Sequence, residues 1–270
     1  MTRLRLLFYS VATVLLLAIV SVIHLWAKDN EASLDGDGTP RTPVLIELFT
    51  SEGCSDCPPA DALLERLDRS HPVNGAELVV LSEHVDYWNG IGWKDPYSSH
   101  EYSERQNAYA GLFGLETVYT PQMVVDGRFE FVGSDERRAI QAVERSTGAE
   151  KIAVNLSALH LESNQTLAMH IDAGQLPSST TAKSASVLLA IADERDESHV
   201  KGGENGGRTL KHVAVVRSLI KVGTVNQSDK LSQDLTVNLG HDGKNLRLVA
   251  FVQDEKTGKI WGVGSARFSN

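Results

Sequence analysis

The segment from residue 44 to residue 85 constrains the fold more than any other part of this sequence. VLIELF, residues 44–49, is an apolar run with one acid and the length of a buried strand. Pro58 and Pro59 then begin a helix, because the first helical turn needs no backbone N–H from its residues. ELVVLSEHV, residues 77–85, is a second apolar run. A strand, a helix and a strand within about forty residues predict a βαβ unit with parallel strands.

The predicted helix is amphipathic. Its apolar face consists of Ala62, Leu63, Leu64 and Leu67. Its charged residues are Asp61, Glu65, Arg66 and Asp68. We therefore expect the first group to face the core, with the second group around it.

Both cysteines of the chain, Cys54 and Cys57, lie between the first strand and this helix. A structural disulfide that closes so short a loop stabilises a fold by no more than about 2 kcal/mol. The unpaired N–H groups and the positive dipole end at a helix start instead favour a thiolate at Cys54. Cys57, one turn further, is placed to resolve a mixed disulfide formed by Cys54. Spacing and position together predict a redox-active dithiol.

The same C-x-x-C spacing also occurs in metal sites. Together with His84, the two cysteines would supply two thiolates and an imidazole, a ligand set that suits Cu(I). A copper-handling protein is therefore the alternative interpretation. The dithiol interpretation requires no cofactor.

Glu47 interrupts the first apolar run. A carboxylate inside a buried strand is costly and usually neutral, with a raised pKa. One interpretation places Glu47 under the dithiol, where it exchanges protons with Cys57. The other interpretation places it in solvent, beside a gap in the sheet.

The residues that follow the second strand are polar or aromatic: His84, Asp86, Tyr87 and Trp88. They should emerge at the same sheet edge as the cysteines, where open parallel sheets bind ligands. His84 fits a base, a metal ligand or a hydrogen-bonded histidine. Asp86 fits a residue that orients a neighbour or caps the next loop. The two aromatic residues fit a wall for a bound peptide or a filling of the core.

Two further segments are candidates for the rim of this site. Arg105 and Gln106 lie on one face of a predicted helix, which either closes the rim or faces solvent. The glycine-rich loop at residues 202–212 either reaches over the thiols, with Arg208 and His212 as its polar contacts, or is an ordinary hairpin loop.

The order of these elements resembles the thioredoxin fold, since a hairpin that begins with Thr120-Pro121 and a final helix follow the βαβ unit. The resemblance implies four site residues: Cys54 as nucleophile, Cys57 as resolving thiol, Pro121 as a cis-proline beside them, and Glu47 as the buried acid. It also implies that Tyr119 and Thr120 line the corner where a substrate strand docks. Gly53 stands where this family usually has a tryptophan.

A closer resemblance covers about residues 43–268. The motifs that carry it are ELFTSEGCSDCPPADALL, HVDYWNGIGWKDP, RQNAYA, VYTPQMVVDG and NGGRTLKHVAVVRSL. On these motifs the chain is similar to an exported bacterial thioredoxin-like family, the domain-of-unknown-function family twelve-twenty-three. That resemblance implies the fold and an exported location, and it implies no established activity.

The expected fold class is α/β, with a thioredoxin-like domain over residues 43–148. A C-terminal β-sandwich-like domain is expected over residues 149–270, because short alternating segments separated by turns recur there. The predicted strands of this second domain are residues 152–160, 165–172, 186–192, 232–238, 246–253 and 259–268.

The N-terminal residues 1–27 are predicted to be a signal anchor or a signal peptide. Arg3 and Arg5 precede an apolar run of about 20 residues, which is long enough to span a bilayer, and no A-x-A cleavage site follows. Residues 28–42, acidic and rich in Gly, Ser and Pro, are predicted to be a flexible linker. The folded body is therefore expected outside the cytoplasm, periplasmic or secreted, tethered to the membrane through residues 4–26.

The net charge of -9 argues against a nucleic-acid partner, because no basic face is evident. The expected function is a thiol–disulfide oxidoreductase that acts on extracytoplasmic protein disulfides and is regenerated by an unidentified redox partner. Metal handling and a redox-idle binding module are the alternatives.

Overall fold

The computed structural model describes residues 41–163, 165–240 and 244–269. The predicted anchor or signal peptide at residues 1–27 lies outside the described residues, as does the predicted linker up to residue 40. Within the described ranges, no helix is long and apolar enough to cross a membrane.

Three helices and eleven strands occur in the described part of the chain. The helices are α1 (Pro58–Ser70), α2 (His100–Phe113) and α3 (Glu136–Thr147). The first strands are β1 (Thr42–Thr50), β2 (Ala76–His84), β3 (Gln122–Val125), β4 (Phe129–Val132), β5 (Val154–Ser163) and β6 (Thr166–Ala173). The others are β7 (Ala185–His199), β8 (Thr209–Val225), β9 (Leu231–Asn238), β10 (Leu246–Gln253) and β11 (Ile260–Phe268).

Eight of these strands form one mixed sheet, in the order β11-β10-β7-β8-β2-β1-β3-β4. β1 and β2 are parallel, with Thr42 opposite Ala76 and Thr50 opposite His84, so the predicted βαβ unit is confirmed. β8 joins β2 in parallel at Ser82 and Val215, and the remaining neighbours pair antiparallel. A smaller antiparallel sheet has the order β5-β6-β9.

The predicted fold class, a thioredoxin-like domain followed by a β-sandwich-like domain, is wrong. Four strands from beyond residue 149 extend the same sheet that contains β1 and β2. One core combines residues from both halves, among them Leu63, Val80, Val213 and Phe251. β8 is missing from the predicted strands, because its first residues belong to the glycine-rich segment 202–212, which the sequence predicts to be a loop. β8 pairs with the edge of β2 that β1 does not occupy. Without β8, the backbone N–H and C=O groups along that edge would be unpaired.

The turn of the β3–β4 hairpin contacts the segment before β11 in the second half of the chain. Asp126 and Gly127 both have positive φ, 56° and 65°, as a two-residue hairpin turn requires. A Cβ on Gly127 would lie only 1.8 Å from the carbonyl oxygen of Gly258, so only glycine allows this close approach. These two residues form the turn of the hairpin that the sequence predicts after Thr120-Pro121.

The buried face of α1 is wider than predicted. Leu63, Leu64 and Leu67 are buried as expected, but Ala62 is exposed while Asp61 and Asp68 are buried. Asp68 binds the guanidinium of Arg247 from β10 through two hydrogen bonds of 2.6 Å and 3.0 Å. The charged side of the helix is thus covered, because strands of the second half of the chain pack against it.

Candidate functional site

Cys54 and Cys57 form a disulfide at the start of α1. Cys57 is the N-cap residue of the helix, and Pro58 is its first residue. Both cysteines are almost completely buried, with exposed fractions of 2% for Cys54 and 0% for Cys57. Both cysteines therefore lie at the positive end of the helix dipole, and both are shielded from solvent.

The cover over Cys54 is the corner before β3. The Thr120–Pro121 peptide bond is cis, as the resemblance implies, and the Cys54 sulfur lies 3.8 Å from the carbonyl oxygen of Thr120. The indole N–H of Trp88 donates to the hydroxyl of Thr120 at 2.8 Å. A Cβ on Gly53 would lie 3.1 Å from the Cβ of Trp88. A side chain before Cys54 would therefore require Trp88 to shift by a few tenths of an ångström.

Gln106 of α2 and Tyr87 of the loop after β2 support the same corner. The hydroxyl of Tyr87 donates to the amide oxygen of Gln106 at 3.0 Å. The amide nitrogen of Gln106 donates to the carbonyl oxygen of Tyr119 at 2.7 Å and to Gln122 at 3.0 Å. Gln106 is fully buried. It lies beneath the corner and fixes the backbone before Thr120, rather than forming an outer rim.

Asp86 fixes the start of α2. Its carboxylate accepts a hydrogen bond of 2.6 Å from the hydroxyl of Ser103, and its backbone N–H donates back to that hydroxyl at 3.0 Å. His100 lies 3.3 Å from the other carboxylate oxygen. Asp86 thus orients neighbouring residues, one of the roles that its position in the sequence suggested.

The loop between β7 and β8 reaches the thiol site, as one of the two interpretations predicted. Asn205 is fully buried, and its amide nitrogen donates to the carbonyl oxygens of Glu52 at 2.9 Å and Cys54 at 2.8 Å. Arg208 in turn donates to the amide oxygen of Asn205 at 2.6 Å. Asn205 therefore fixes the turn that carries the first cysteine. Sequence reasoning missed Asn205, since nothing local distinguishes it within a glycine-rich loop.

A carboxylate of the same loop binds the backbone between the cysteines. The Glu204 side chain accepts a hydrogen bond of 2.9 Å from the backbone N–H of Ser55. Hydrogen bonds with the side chain and then with the backbone N–H of Ser55 lower the pKa of the exposed Glu204. The neighbouring Asp56 is also exposed. Two exposed carboxyl groups therefore lie beside the dithiol.

Glu47 is fully buried, which excludes the solvent-facing interpretation. Its two oxygens accept hydrogen bonds of 2.6 Å each from Arg105 and from the hydroxyl of Tyr109. Gln253 of β10 completes the network by bonding both Arg105 and Tyr109. Among the described residues, no hydrogen bond or ion pair joins Glu47 to Cys57. Arg105 thus lies in the interior with Glu47 and not at the rim of the site.

The charge of Arg105 serves two buried acids. Burial lowers the pKa of Arg105, but the charges of Glu47 and Glu83 outweigh burial, so the net direction is upward. Glu83 lies 3.6 Å from the guanidinium, and neither of its oxygens has a hydrogen-bond partner. Burial, followed by the charge of Glu47, raises the pKa of Glu83 well above its ordinary range. One guanidinium therefore pairs with Glu47 on β1, while the raised pKa of Glu83 on β2 favours its neutral form.

His84 is a hydrogen-bonded histidine, the third of its predicted possibilities. Its Nδ1 lies 2.7 Å from a carboxylate oxygen of Asp95. Burial acts to raise the pKa of Asp95, but His84 and the backbone N–H groups of Glu52 and Tyr97 outweigh it, so the pKa is lowered. In the described part of the chain, no group of three His, Cys, Asp or Glu side chains is arranged to hold a metal ion. The copper alternative with Cys54, Cys57 and His84 therefore has no geometric support.

His212 of β8 lies behind the thiol site, with its ring centre 4.7 Å from that of His84. Its Nε2 lies 3.4 Å from Glu52, and its Nδ1 lies 3.8 Å from Asp61. Burial lowers the pKa of His212, but the two acids outweigh it and raise the pKa to about 10. The other Glu52 oxygen accepts a hydrogen bond of 2.7 Å from the indole of Trp93. Sequence reasoning missed Glu52 and Asp61, because each looks locally like an ordinary surface acid.

Comparison with known proteins gives a family and a fold. A family model described as "Protein of unknown function (DUF1223)" matches residues 45–253. The crystal structure of a protein from Agrobacterium tumefaciens is similar, with a TM-score of 0.65, 26% sequence identity, and 86% of this chain and 96% of that chain covered. HBP35 of Porphyromonas gingivalis has a similar fold, with a TM-score of 0.59, 15% identity, and 87% and 76% covered. No curated protein matches the chain in sequence.

Proposed function

This chain belongs to the DUF1223 family of proteins of unknown function, and we propose that it is an exported thiol–disulfide oxidoreductase with a thioredoxin-like dithiol site. One observation carries this proposal. The Cys54–Cys57 disulfide lies at the start of α1, and the Cys54 sulfur lies 3.8 Å from the carbonyl oxygen that precedes the cis-proline, Pro121. A buried core of this size has little need of so local a crosslink for stability.

The proposed reaction transfers two electrons from the protein to a substrate disulfide. The thiolate of Cys54 attacks one substrate sulfur, forms a mixed disulfide and releases the other substrate sulfur as a thiolate. Cys57 then loses its proton and attacks the Cys54 sulfur, which frees the second substrate thiolate. The protein ends as the disulfide, the substrate ends as a dithiol, and an external dithiol protein must reduce Cys54 and Cys57 again.

We propose that the protein acts as a reductant. Asp56 is exposed between the cysteines, and Glu204 binds the backbone N–H of Ser55. Negative charges beside a thiol disfavour its thiolate, and a less stable thiolate makes the dithiol a better electron donor. These two acids oppose the effect of the helix N-terminus, which stabilises the thiolate.

The substrate in this proposal is a protein segment rather than a small molecule. It docks as an added strand against the backbone at Thr120 and Tyr119, next to Pro121. Because Cys54 is only 2% exposed, the corner at Thr120, to which Trp88 is bonded, must open before a polypeptide sulfur reaches it. The location proposed for this reaction is the periplasm or the extracellular space, with the membrane anchor in residues 4–26 and the redox partner still to be identified.

Equilibration with glutathione tests this function. We expect the purified full-length protein to reach a defined dithiol–disulfide equilibrium with glutathione buffers, followed by mass spectrometry after alkylation. A Cys57→Ala variant should accumulate mixed disulfides with exported proteins, because the second step is blocked.

The matched control is Cys54→Ser, which lacks the attacking sulfur and should capture nothing. Equal capture by both variants, or no capture by Cys57→Ala, contradicts the proposal. If cells that carry Cys54→Ser also show no change in their exported disulfides, the protein is a binding module with an idle dithiol.

A further inference from the structure

Three ionisable side chains, two from the segment that carries the cysteines and one from β8, meet near the disulfide. Glu52 comes from the loop before α1, Asp61 comes from α1 and His212 comes from β8. Their exposed fractions are 0%, 6% and 5%. One oxygen of each acid and both nitrogens of the imidazole lack a hydrogen bond, although His212 lies within ion-pair distance of both acids. Buried polar groups are normally hydrogen-bonded, so packing alone gives no reason to place these three groups here.

Asp61 is also placed beside Cys57. Cys57 is the N-cap residue of α1 and Asp61 is the fourth residue of the helix. The backbone N–H of Asp61 donates to the carbonyl oxygen of Cys57 at 3.1 Å. Residues four apart lie on the same side of a helix, so both side chains start from one side of the helix start. Asn205 bonds the backbone of both Glu52 and Cys54, which holds the second acid against the same turn.

The cluster opens towards solvent at two surface pockets. One pocket of about 290 Å³ is lined by Asp61 together with Pro58 and Arg208. The other, of about 510 Å³, is lined by His212 together with Glu65 and Lys211. Asp61 and His212 therefore each border a pocket that is open to solvent.

We propose that Asp61, held by His212 and Glu52, accepts the proton of Cys57 during the second thiol–disulfide step and passes it to solvent. The proposal rests on the proposed function and assigns the proton acceptor that Glu47 does not provide. In that step the Cys57 S–H bond breaks and an O–H bond forms on Asp61. The new Cys54–Cys57 bond forms as the bond from Cys54 to the substrate sulfur breaks.

His212 acts as a positioning residue in this scheme. Its pKa of about 10 makes it a cation at neutral pH, between two carboxyl groups. A cation beside Asp61, near the helix start that carries Cys57, favours a negative charge there, since opposite charges attract each other. Two aromatic rings also face His212, those of His84 and Tyr97. The charged or titratable groups nearby are Asp95, which bonds His84, Asp196, which is opposite His212 on β7, and Arg217, which lies over the Tyr97 ring.

Ellman's reagent, a small aromatic disulfide, separates the two steps. With the reduced full-length protein, the first thionitrobenzoate released reports attack by Cys54. The second reports attack by Cys57 on the mixed disulfide. We expect Asp61→Asn to slow the second release about tenfold or more at pH 7, because a general base contributes at least that factor. We expect His212→Gln to raise the pH midpoint of the second release by about one unit. Neither variant should change the first release.

The control is His199→Gln, which makes the same chemical change at an exposed position of β7 and should leave both releases unchanged. If His212→Gln does not fold, Glu52→Gln replaces it and is expected to slow the second release. Wild-type rates and pH midpoints in the folded variants overturn the proposed proton path while the oxidoreductase function stands. A wild-type protein that releases no second thionitrobenzoate overturns the function itself, and the proton path with it.

Discussion

Asn205 donates a hydrogen bond of 2.8 Å to the carbonyl oxygen of Cys54, although 151 residues separate them in the sequence. The same amide nitrogen bonds the carbonyl oxygen of Glu52 at 2.9 Å. The turn that carries the first cysteine is therefore fixed from outside by the loop between β7 and β8. This contact makes the redox site a product of both halves of the chain.

Asn205→Ala should destabilise the oxidised protein by about 1–3 kcal/mol, because two buried carbonyl oxygens lose their donor. Urea unfolding of the variant measures this free energy. Asn155→Ala is the control, since Asn155 is exposed on β5 and its substitution should be close to neutral. Equal unfolding free energies for the two variants would show that the contact contributes nothing.

Arg105→Met should destabilise the protein by about 3–5 kcal/mol, since it leaves the buried Glu47 without its cation. Methionine keeps an unbranched stem but removes the guanidinium, which lies over the rings of Tyr109 and Phe251. The control Arg66→Met breaks an exposed ion pair with Glu136 and should cost about 1 kcal/mol or less. Urea unfolding measures the free energy of unfolding of both variants. A decrease for Arg105→Met no greater than that for Arg66→Met would contradict the prediction.

The stability of the oxidised protein should decrease with pH because of His212. Its folded-state pKa of about 10 lies above the ordinary 6.5, so its contribution is complete below pH 6.5 and is lost as pH rises through 10. The difference in unfolding free energy between wild type and His212→Gln should therefore shrink between pH 6.5 and pH 10. Other groups titrate in both proteins and cancel in this difference. A constant difference over that range contradicts the assignment.

Trp88→Ala should speed alkylation of Cys54 by iodoacetamide in the reduced protein. Trp88 bonds Thr120 and covers the turn at Gly53, so its removal opens the path to the sulfur. Phe129→Ala truncates another aromatic residue at the far end of the β3–β4 hairpin, where Phe129 pairs with Val125, and should leave the rate near that of the wild type. Mass spectrometry of samples taken over time measures the rate of alkylation in the wild type and in both variants. Equal rates in wild type and Trp88→Ala would place the access path elsewhere.

Gly127→Ala should destabilise the protein by at least about 2 kcal/mol, since its Cβ adds both a strained φ and an overlap. That Cβ would lie 1.8 Å from the carbonyl oxygen of Gly258. Gly148→Ala is the control, because Gly148 has a φ of -84° and no atom lies within 4 Å of the added Cβ. Thermal unfolding of both variants measures the effect, and similar midpoints would contradict it.

The local elements were predictable because their signals lie within a few residues of each other. The apolar runs of β1 and β2, the prolines that start α1 and the turn at Asp126 and Gly127 all appear in the structure. The strand β8 was not predicted, and with it the fold class was wrong. Its pairing with β2 brings Val215 beside Ser82, a contact that no local pattern encodes.

The candidate site divides in the same way. The positions of Cys54, Cys57 and Pro121 follow from short motifs and from a family resemblance. The burial of Asp61 and the presence of Asn205 and His212 behind the thiols do not, because they depend on which element packs against α1. The sequence of a helix shows which of its faces is apolar. It does not show whether a strand from elsewhere in the chain packs against its charged face.

The sequence by itself determined that a dithiol stands between a buried strand and a helix start, because spacing and proline chemistry are local properties. Only the tertiary structure decided what surrounds that dithiol. Strand pairing joins residues far apart in the chain, and its free energy comes from burying both partners together, which neither partner shows alone.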